Sequence, residues 1–304
     1  MSNEIGASCV TGAVVIALTN PLDCLKQRWQ VEPTSSVHRS ITSFARDIVR
    51  TEGIMGGLWT PGLASNMCAC TISVGTRIGM YPMLREQLSM GPSLSQKSGA
   101  SMFLSGLAGG ALGYILSAPF FAASRIAHAE AGMLSPDGLL ITGARRGLPP
   151  TALGSSNGLP MLAHMAMERG VLGLWRGSEV LVARGALMSA TQLATYDGTK
   201  ATLRSYGLPD GPAMHCFASL IASLALTTAI CPLDVTYTAF LAGPSLGRPH
   251  SSPWATALSL AREGGPTAFL RGWTPLWLRF LPSSVLTFVI YEQSRRVLLG
   301  KYLD

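Results

Sequence analysis

Charged side chains are scarce in this chain. Asp, Glu, Lys and Arg make up 13% of its 304 residues, whereas an ordinary soluble domain carries about 25%. So little ionic surface does not suit a large water-soluble enzyme with a polar coat. The chain is also too apolar for a disordered protein, because 48% of its residues are hydrophobic. The composition therefore favours a membrane protein.

The sequence also lacks the motifs of the common enzyme and metal-binding classes. It contains no Gly-rich loop followed by Lys and Ser or Thr, no nucleophile elbow and no acidic calcium loop. Its five histidines show no HxxxH or Cys/His spacing, and its six cysteines form no CxxC pair. We therefore expect no enzyme activity, no metal site and no other cofactor.

Basic residues exceed acidic ones and give a formal net charge of +7, but they are thinly spread along the chain. A nucleic-acid-binding protein gathers such residues on a solvated patch, so we expect no nucleic-acid partner. The first residues, Met-Ser-Asn-Glu-Ile-Gly, contain neither a basic segment nor an Arg-rich amphipathic stretch. We therefore expect no cleaved leader sequence.

Long apolar stretches are what the sequence has in abundance. Six of them are long enough to cross a hydrocarbon layer of ~30 Å, which takes about 20 helical residues, and they cover 5–31, 62–88, 100–130, 178–204, 211–242 and 273–299. Between them, polar stretches near 37–53, 157–170 and 251–264 have the spacing of short amphipathic helices. The pattern predicts an all-α membrane protein with six transmembrane helices and three short surface helices.

Glycines at GxxxG spacing occur within the third apolar stretch. They are Gly106, Gly109, Gly110 and Gly113. Such spacing lets helix backbones approach each other closely in lipid. We therefore predict that this stretch packs tightly against a neighbouring helix.

Three sequence markers recur three times in the same order, which indicates an internal repeat. The first marker is a proline followed by an acid and a base or their substitutes, and its copies start at Pro21, Pro119 and Pro232. The second marker is an acid and a glycine, followed by an aromatic residue, a base and a glycine, and it lies before the second, fourth and sixth apolar stretches, which we call the even-numbered stretches. The third marker is an aromatic residue and an acid, with a base three residues after the acid, and it lies at the end of the same stretches. The predicted repeats cover 1–95, 96–207 and 208–304, each with two tilted helices and one short surface helix.

These repeated markers resemble the mitochondrial carrier family over essentially the whole chain. The resemblance implies a pseudo-threefold bundle of six helices in the mitochondrial inner membrane. Members of this family alternate between cytoplasm-open and matrix-open states and commonly exchange one metabolite for another. The resemblance also implies a multi-pass monomer in contact with membrane lipid, including cardiolipin.

Shorter segments are similar to particular groups of carriers. The segments at 76–81 and 183–196 resemble the oxoglutarate and dicarboxylate carriers, and those at 119–121 and 232–238 resemble the oxaloacetate and sulfate carriers. Both groups move small organic or inorganic anions. We therefore expect a small anionic metabolite as the substrate.

The even-numbered stretches offer polar residues for a central site. Counted back from the acid position of the third marker, Arg184 and Arg279 stand thirteen residues earlier, and Arg77, Gln192 and Thr287 stand five residues earlier. The two sets are about two helical turns apart, so they share one face. Guanidinium groups bind carboxylate, sulfate or phosphate through paired hydrogen bonds. The predicted substrate site for a small dianion therefore consists of Arg77, Arg184, Gln192, Arg279 and Thr287; a purely structural role of the arginines is the alternative.

The resemblance implies a matrix gate, in which the acid of one repeat pairs with the base of the next. Here Ser124, Phe121 and Tyr237 stand where charged partners are usual, so Lys26 with Asp234 is the only expected ion pair. This count predicts a weak matrix gate. The predicted gate residues are Asp23, Lys26, Gln30, Asp234 and Tyr237.

A second gate is implied on the cytoplasmic side. Its predicted members are Arg85, Asp197, Lys200, Glu292 and Arg295. Pro82 replaces the third acid, so two ion pairs are expected there.

Taken together, these features predict an antiporter for dicarboxylates, keto acids or sulfate that works by alternating access. One alternative is a carrier-fold protein that does not transport and acts as a receptor or tether, which the missing gate pairs would suit. Another is a proton leak like that of the uncoupling proteins, which share the segment at 76–81.

Overall fold

The computed structural model describes residues 2–32, 40–89, 99–151, 158–207, 212–249 and 251–280, together with residues 286, 290 and 293. Within this described part the regular structure is helical, and the β-type pairing consists of an isolated bridge between Leu134 and Leu140. The all-α fold class predicted from the sequence is therefore confirmed.

Nine helices are described. They are α1 (Ser2–Val31), α2 (Ile41–Glu52), α3 (Leu63–Ser89), α4 (Gly99–Ala129), α5 (Leu159–Arg169), α6 (Ser178–Ser205), α7 (Pro212–Ala242), α8 (Pro253–Gly264) and α9 (273–280). Single short helical turns follow α2, α5 and α8. The five long helices agree with the first five apolar stretches to within three residues at each end, and the sixth stretch is described as helical only in part.

Three of the long helices contain segments apolar enough to cross a membrane. These segments are Cys9–Val31, Leu104–Ala129 and Phe217–Ala242, with mean hydropathies of 1.3, 1.4 and 1.7. Helices α3 and α6 have 27 and 28 residues, which is long enough to span, but charged residues such as Arg77 and Arg184 make them less apolar. Charges at such depths must face protein or water rather than lipid. Among the described residues, membrane-spanning character by composition thus belongs to three of the six predicted segments.

The long helices follow one another in space in the order of the chain. Helix α1 packs on α3, α3 on α4, α4 on α6, and α6 on α7. Helices α1, α4 and α7 also contact one another. These three helices therefore converge, and the residues at their convergence form the polar site described below.

A proline lies inside each of the converging helices. Pro21, Pro119 and Pro232 all lie about two thirds of the way along their helices, and each helix continues past its proline. Proline removes a backbone donor and clashes with the preceding turn. Helices of membrane proteins tolerate it where neighbouring groups satisfy the freed carbonyl.

Three glycines before the even-numbered stretches repeat one structural relationship. Gly62, Gly177 and Gly272 have φ values of 61°, 84° and 89°, a left-handed conformation that favours glycine. Each also leaves too little room for a Cβ atom beside the next converging helix. Their neighbours there are His128 of α4, Tyr237 of α7 and Gln30 of α1, respectively. The relationship therefore links α1, α4 and α7 in a closed cycle.

Candidate functional site

A cavity of about 150 Å³ lies where the long helices converge. Residues of α1, α3, α4, α6 and α9 line it. Its charged lining residues are Asp23, Lys26, Arg77, Arg125, Arg184 and Arg279. Four arginines, each from a different helix, therefore reach one small space.

Asp234 of α7 is the centre of the largest polar cluster beside this cavity, and it is completely buried. Its Oδ2 lies 2.8 Å from Nζ of Lys26 and accepts a hydrogen bond of 3.2 Å from Nε2 of Gln30. Its Oδ1 lies 2.8 Å from Nη2 of Arg125 and 3.2 Å from Nε of Arg184. One carboxylate thus ties α7 to α1, α4 and α6.

Arg125 was missing from the candidates drawn from the sequence. Its Nη1 donates a hydrogen bond of 2.7 Å to Oγ1 of Thr238, and its guanidinium lies 4.6 Å from the centre of the Tyr237 ring. The first marker is expected to have its base at position 124, which is occupied by serine. The basic residue at the next position was the signal in the sequence that could have identified Arg125. A shift of one residue rotates a side chain by about 100° on a helix, which sends Arg125 towards α7.

Asp23 of α1 is the second buried carboxylate, with 2% of its surface exposed. Its Oδ1 lies 3.0 Å from Nε of Arg279, and its Oδ2 accepts a hydrogen bond of 3.4 Å from Nδ2 of Asn66. Asn66 also donates to Oδ1 of Asn20 at 3.0 Å. Helix α9 is therefore connected through Asp23 to α1 and α3.

The prediction of a single ion pair at this end of the bundle was wrong. Lys26 and Asp234 do lie together, but Arg125 and Arg184 also engage Asp234, and Asp23 pairs with Arg279. The sequence count considered only the bases of the first marker. Arginine side chains from α6 and α9 are long enough to reach the acids of the converging helices.

Positive charge exceeds negative charge in this cluster. Among the described residues, the four cations Lys26, Arg125, Arg184 and Arg279 surround the two carboxylates of Asp23 and Asp234. Each cation contacts one of these carboxylates, but the cluster as a whole carries two more positive than negative charges, and a bound dianion would balance them. No group of three His, Cys, Asp or Glu side chains that could hold a metal ion occurs in the described part.

The predicted substrate residues differ in how far the structure describes them. Arg184 is buried and lines the cavity, and the side chain of Arg279 is 20% exposed. Arg77 also lines the cavity and is an exposed residue. The side chain of Gln192 and residue Thr287 lie outside the described residues. The roles of all five in substrate binding stay predictions.

The predicted gate residues divide in the same way. The matrix-gate set is described in full. Tyr237 contacts Arg125 through its ring, and its hydroxyl has no hydrogen-bond partner among the described residues. In the cytoplasmic set, Nζ of Lys200 lies 5.8 Å from the ring of Tyr196. The side chains of Arg85 and Asp197 and residues Glu292 and Arg295 lie outside the described residues.

A separate buried ion pair fixes the first short helix. Arg28 of α1 donates from Nη1 and Nη2 to the two carboxylate oxygens of Glu52 at 2.6 Å each, and Nη1 also donates to the Gly57 carbonyl at 2.9 Å. Both side chains are 4% exposed. This bidentate arrangement holds α2 and the following turn against the end of α1.

Comparisons with known proteins find related sequences along the chain. A family model described as mitochondrial carrier protein matches residues 1–91 and 209–302. The chain is 30% identical to the mitochondrial 2-oxoglutarate/malate carrier protein of Mus musculus, over 97% of this chain and 90% of that protein. It is 29% identical to the protein of the same name from Caenorhabditis elegans, over 96% and 94%. It is also 27% identical to the mitochondrial brown fat uncoupling protein 1 of Canis lupus familiaris, over 100% and 95%.

Proposed function

The chain belongs to the mitochondrial carrier family, and on that premise we propose that it is a secondary transporter of small dianions in the mitochondrial inner membrane. It exchanges one anion for another by alternating access. The candidate substrates are dicarboxylates, keto acids and sulfate-like anions, and the 2-oxoglutarate/malate carrier relatives support this range.

The proposed architecture has six transmembrane helices in three pseudo-symmetric repeats that cover 1–95, 96–207 and 208–304. The repeated relationship of Gly62, Gly177 and Gly272 to the next converging helix supports it. Polar residues on α3, α6 and α9 then face a central path, which explains why these helices are less apolar than α1, α4 and α7. The protein acts as a monomer in contact with lipid, including cardiolipin.

The excess of buried cations carries the proposal. Arg184 and Arg279 come from two repeats and line the same cavity of about 150 Å³. A dianion that binds both guanidinium groups supplies the charge that the cluster lacks, through charge-assisted hydrogen bonds. A cationic substrate would instead be repelled by the excess positive charge of the cluster.

The same contacts suggest how binding is coupled to opening. A substrate carboxylate competes with Asp23 for Arg279 and with Asp234 for Arg184, since each guanidinium already pairs with one of these acids. Buried ion pairs contribute little net stability when desolvation is large, so a bound anion can displace them. Loosening these pairs opens the matrix gate, while the cytoplasmic set closes the other side.

Transport by reconstituted protein tests the proposal. Liposomes loaded with malate should take up labelled malate, oxoglutarate, malonate or sulfate, and empty liposomes should not. Arg184→Ala and Arg279→Ala should abolish the uptake, whereas Arg146→Ala, at an exposed position in the 131–151 segment, should leave it intact. Unchanged uptake by either cavity variant removes that arginine from the site, and no uptake of any anion contradicts the transporter.

A proton leak is the second candidate, because the chain is similar along its full length to an uncoupling protein. This function predicts proton conductance in liposomes without an exchanged anion, activated by fatty acid and inhibited by purine nucleotide. Counter-anion-dependent uptake with no added proton conductance would exclude it.

A further inference from the structure

A second and larger cavity lies between α4 and α6. Its volume is about 410 Å³. Gly106, Gly110 and Ala111 of α4 and Gly185 of α6 are among its lining residues, and Arg77 is the charged one among the described residues that line it. This space is therefore apolar, unlike the cationic cavity at the convergence of the helices.

The two cavities adjoin each other. Arg77, Tyr114 and Met188 line both of them. A molecule whose acidic end is held by Arg184 therefore enters the space between α4 and α6 only past these three side chains, of which the Tyr114 ring packs against Gly185 of α6. Charge lies at one end of this combined space and hydrocarbon surface along the rest of it.

Helix packing accounts for only half of the glycines in the GxxxG stretch of α4. A Cβ atom on Gly109 or Gly113 would lie 3.4 Å from the Arg77 carbonyl oxygen or 2.7 Å from the Ser73 carbonyl oxygen, so these two glycines permit the close approach of α3. A Cβ atom on Gly106 or Gly110 would meet no atom of the described residues within 4 Å. These two glycines keep the larger cavity open.

The volumes indicate what each cavity can hold. A cavity of about 150 Å³ accommodates a molecule the size of benzene, so the cationic cavity holds little more than one or two acidic groups. The apolar cavity is more than twice as large. A short polar dianion would leave it unfilled, whereas each buried methylene group tightens binding about fourfold.

We propose that the preferred substrate is an amphiphilic organic anion. Its one or two acidic groups bind Arg184 and Arg279, and its aliphatic or aryl body occupies the cavity between α4 and α6. Small dicarboxylates and sulfate bind through the same arginines but gain nothing from the second cavity. This inference rests on the proposed function and narrows its substrate class.

A homologous series of ligands tests the inference on the purified full-length protein. Malonate and 2-alkylmalonates with one to six carbons share one acidic head and differ only in the apolar body. We measure their dissociation constants from ligand-induced thermal stabilisation in detergent, and their potency as competitors of labelled malonate uptake. Affinity should rise about fourfold per carbon over the first few carbons. Affinity that is flat or falls along the series overturns the inference.

A matched pair of variants locates the effect. Gly110→Leu places a side chain in the apolar cavity without an initial clash. In this variant, the ratio of the affinity for hexylmalonate to the affinity for malonate should fall at least tenfold. Gly198→Leu on α6 is the control, because Gly198 is exposed and an added Cβ atom there also meets no described atom within 4 Å. The control should show the same ratio of hexylmalonate to malonate affinity as the wild type. If Gly110→Leu leaves this affinity ratio unchanged, the apolar body of the substrate does not bind in the cavity between α4 and α6.

The outcomes separate this inference from the proposed function. Malonate binding that is lost in Arg184→Ala but shows no dependence on alkyl length leaves the transporter standing and overturns the amphiphilic substrate. Absence of binding and uptake for every member of the series overturns both.

Discussion

Arg279 of α9 lies with its Nε 3.0 Å from Oδ1 of Asp23 in α1. This contact joins α9 to α1, and it uses a residue that the sequence analysis assigned to the substrate site rather than to the gate. The base expected for Asp23 is replaced by Ser124, whose Oγ donates to the Phe121 carbonyl at 3.0 Å. Under the proposed function, we expect Arg279 to pair in turn with the carboxylate of Asp23 and with the transported anion.

This dual use of Arg279 makes a prediction about Ser124. Ser124 and Asp23 line the same cavity, so Ser124→Lys offers Asp23 a second cation that the substrate does not remove. We expect a higher melting temperature and slower exchange than in the wild type, measured by thermal unfolding in detergent and by uptake into liposomes. Ser124→Ala, which adds no charge, should change both much less. A more stable Ser124→Lys protein that exchanges at the wild-type rate would contradict the coupling.

The two buried carboxylates beside the cationic cavity, Asp23 and Asp234, should differ in their contribution to stability. Asp234→Asn removes the charge that Lys26, Arg125 and Arg184 share, whereas Asp23→Asn removes the charge that Arg279 contacts. Breaking a buried pair costs about 3–5 kcal/mol. We therefore expect a larger fall in melting temperature for Asp234→Asn than for Asp23→Asn. Equal falls would indicate that the additional cations contribute nothing.

The glycines of α4 should respond in opposite ways to alanine. Gly113→Ala would place its Cβ atom 2.7 Å from the Ser73 carbonyl oxygen, so α3 and α4 must separate and the protein should melt at a lower temperature. Gly110→Ala meets no described atom within 4 Å. It should be neutral or stabilising by up to about 1 kcal/mol, because alanine favours a helix over glycine. Destabilisation by both variants to the same degree would refute the different roles of these glycines.

The Arg28–Glu52 pair should require arginine in particular. Arg28→Lys keeps the positive charge but loses the two parallel hydrogen bonds to Glu52 and the bond to the Gly57 carbonyl. We expect a stability loss of about 1–3 kcal/mol and faster hydrogen exchange in α2. Arg50→Lys, at an exposed position of the same helix, should have little effect. Similar protection of α2 in both variants would contradict this role for the pair.

The receptor or tether hypothesis depended on the missing ion pairs of the matrix gate. Its main support in the sequence was the replacement of charged residues at Ser124, Phe121 and Tyr237. Arg125 and Arg279 supply cations from other positions of the fold. Incomplete markers in this chain therefore do not imply an unpaired gate.

The sequence by itself determined the extents of the long helices and their order along the chain. Apolar run length sets where a long helix begins and ends, and a spacing of eight residues places two side chains on one face, since both properties are local. This reasoning located α1, α3, α4, α6 and α7 and brought Arg184 into the list of candidates, whereas Lys26 entered it through the resemblance to the carrier family.

The tertiary structure alone decided which cation meets which carboxylate. Arg184 engages Asp234, Arg279 engages Asp23, and Arg125 joins from one position beyond the marker. It also divided the glycines of α4 between helix packing and an open cavity. These outcomes depend on the rotation and spacing of neighbouring helices and on the reach of flexible arginine side chains, and no local pattern along the chain encodes them.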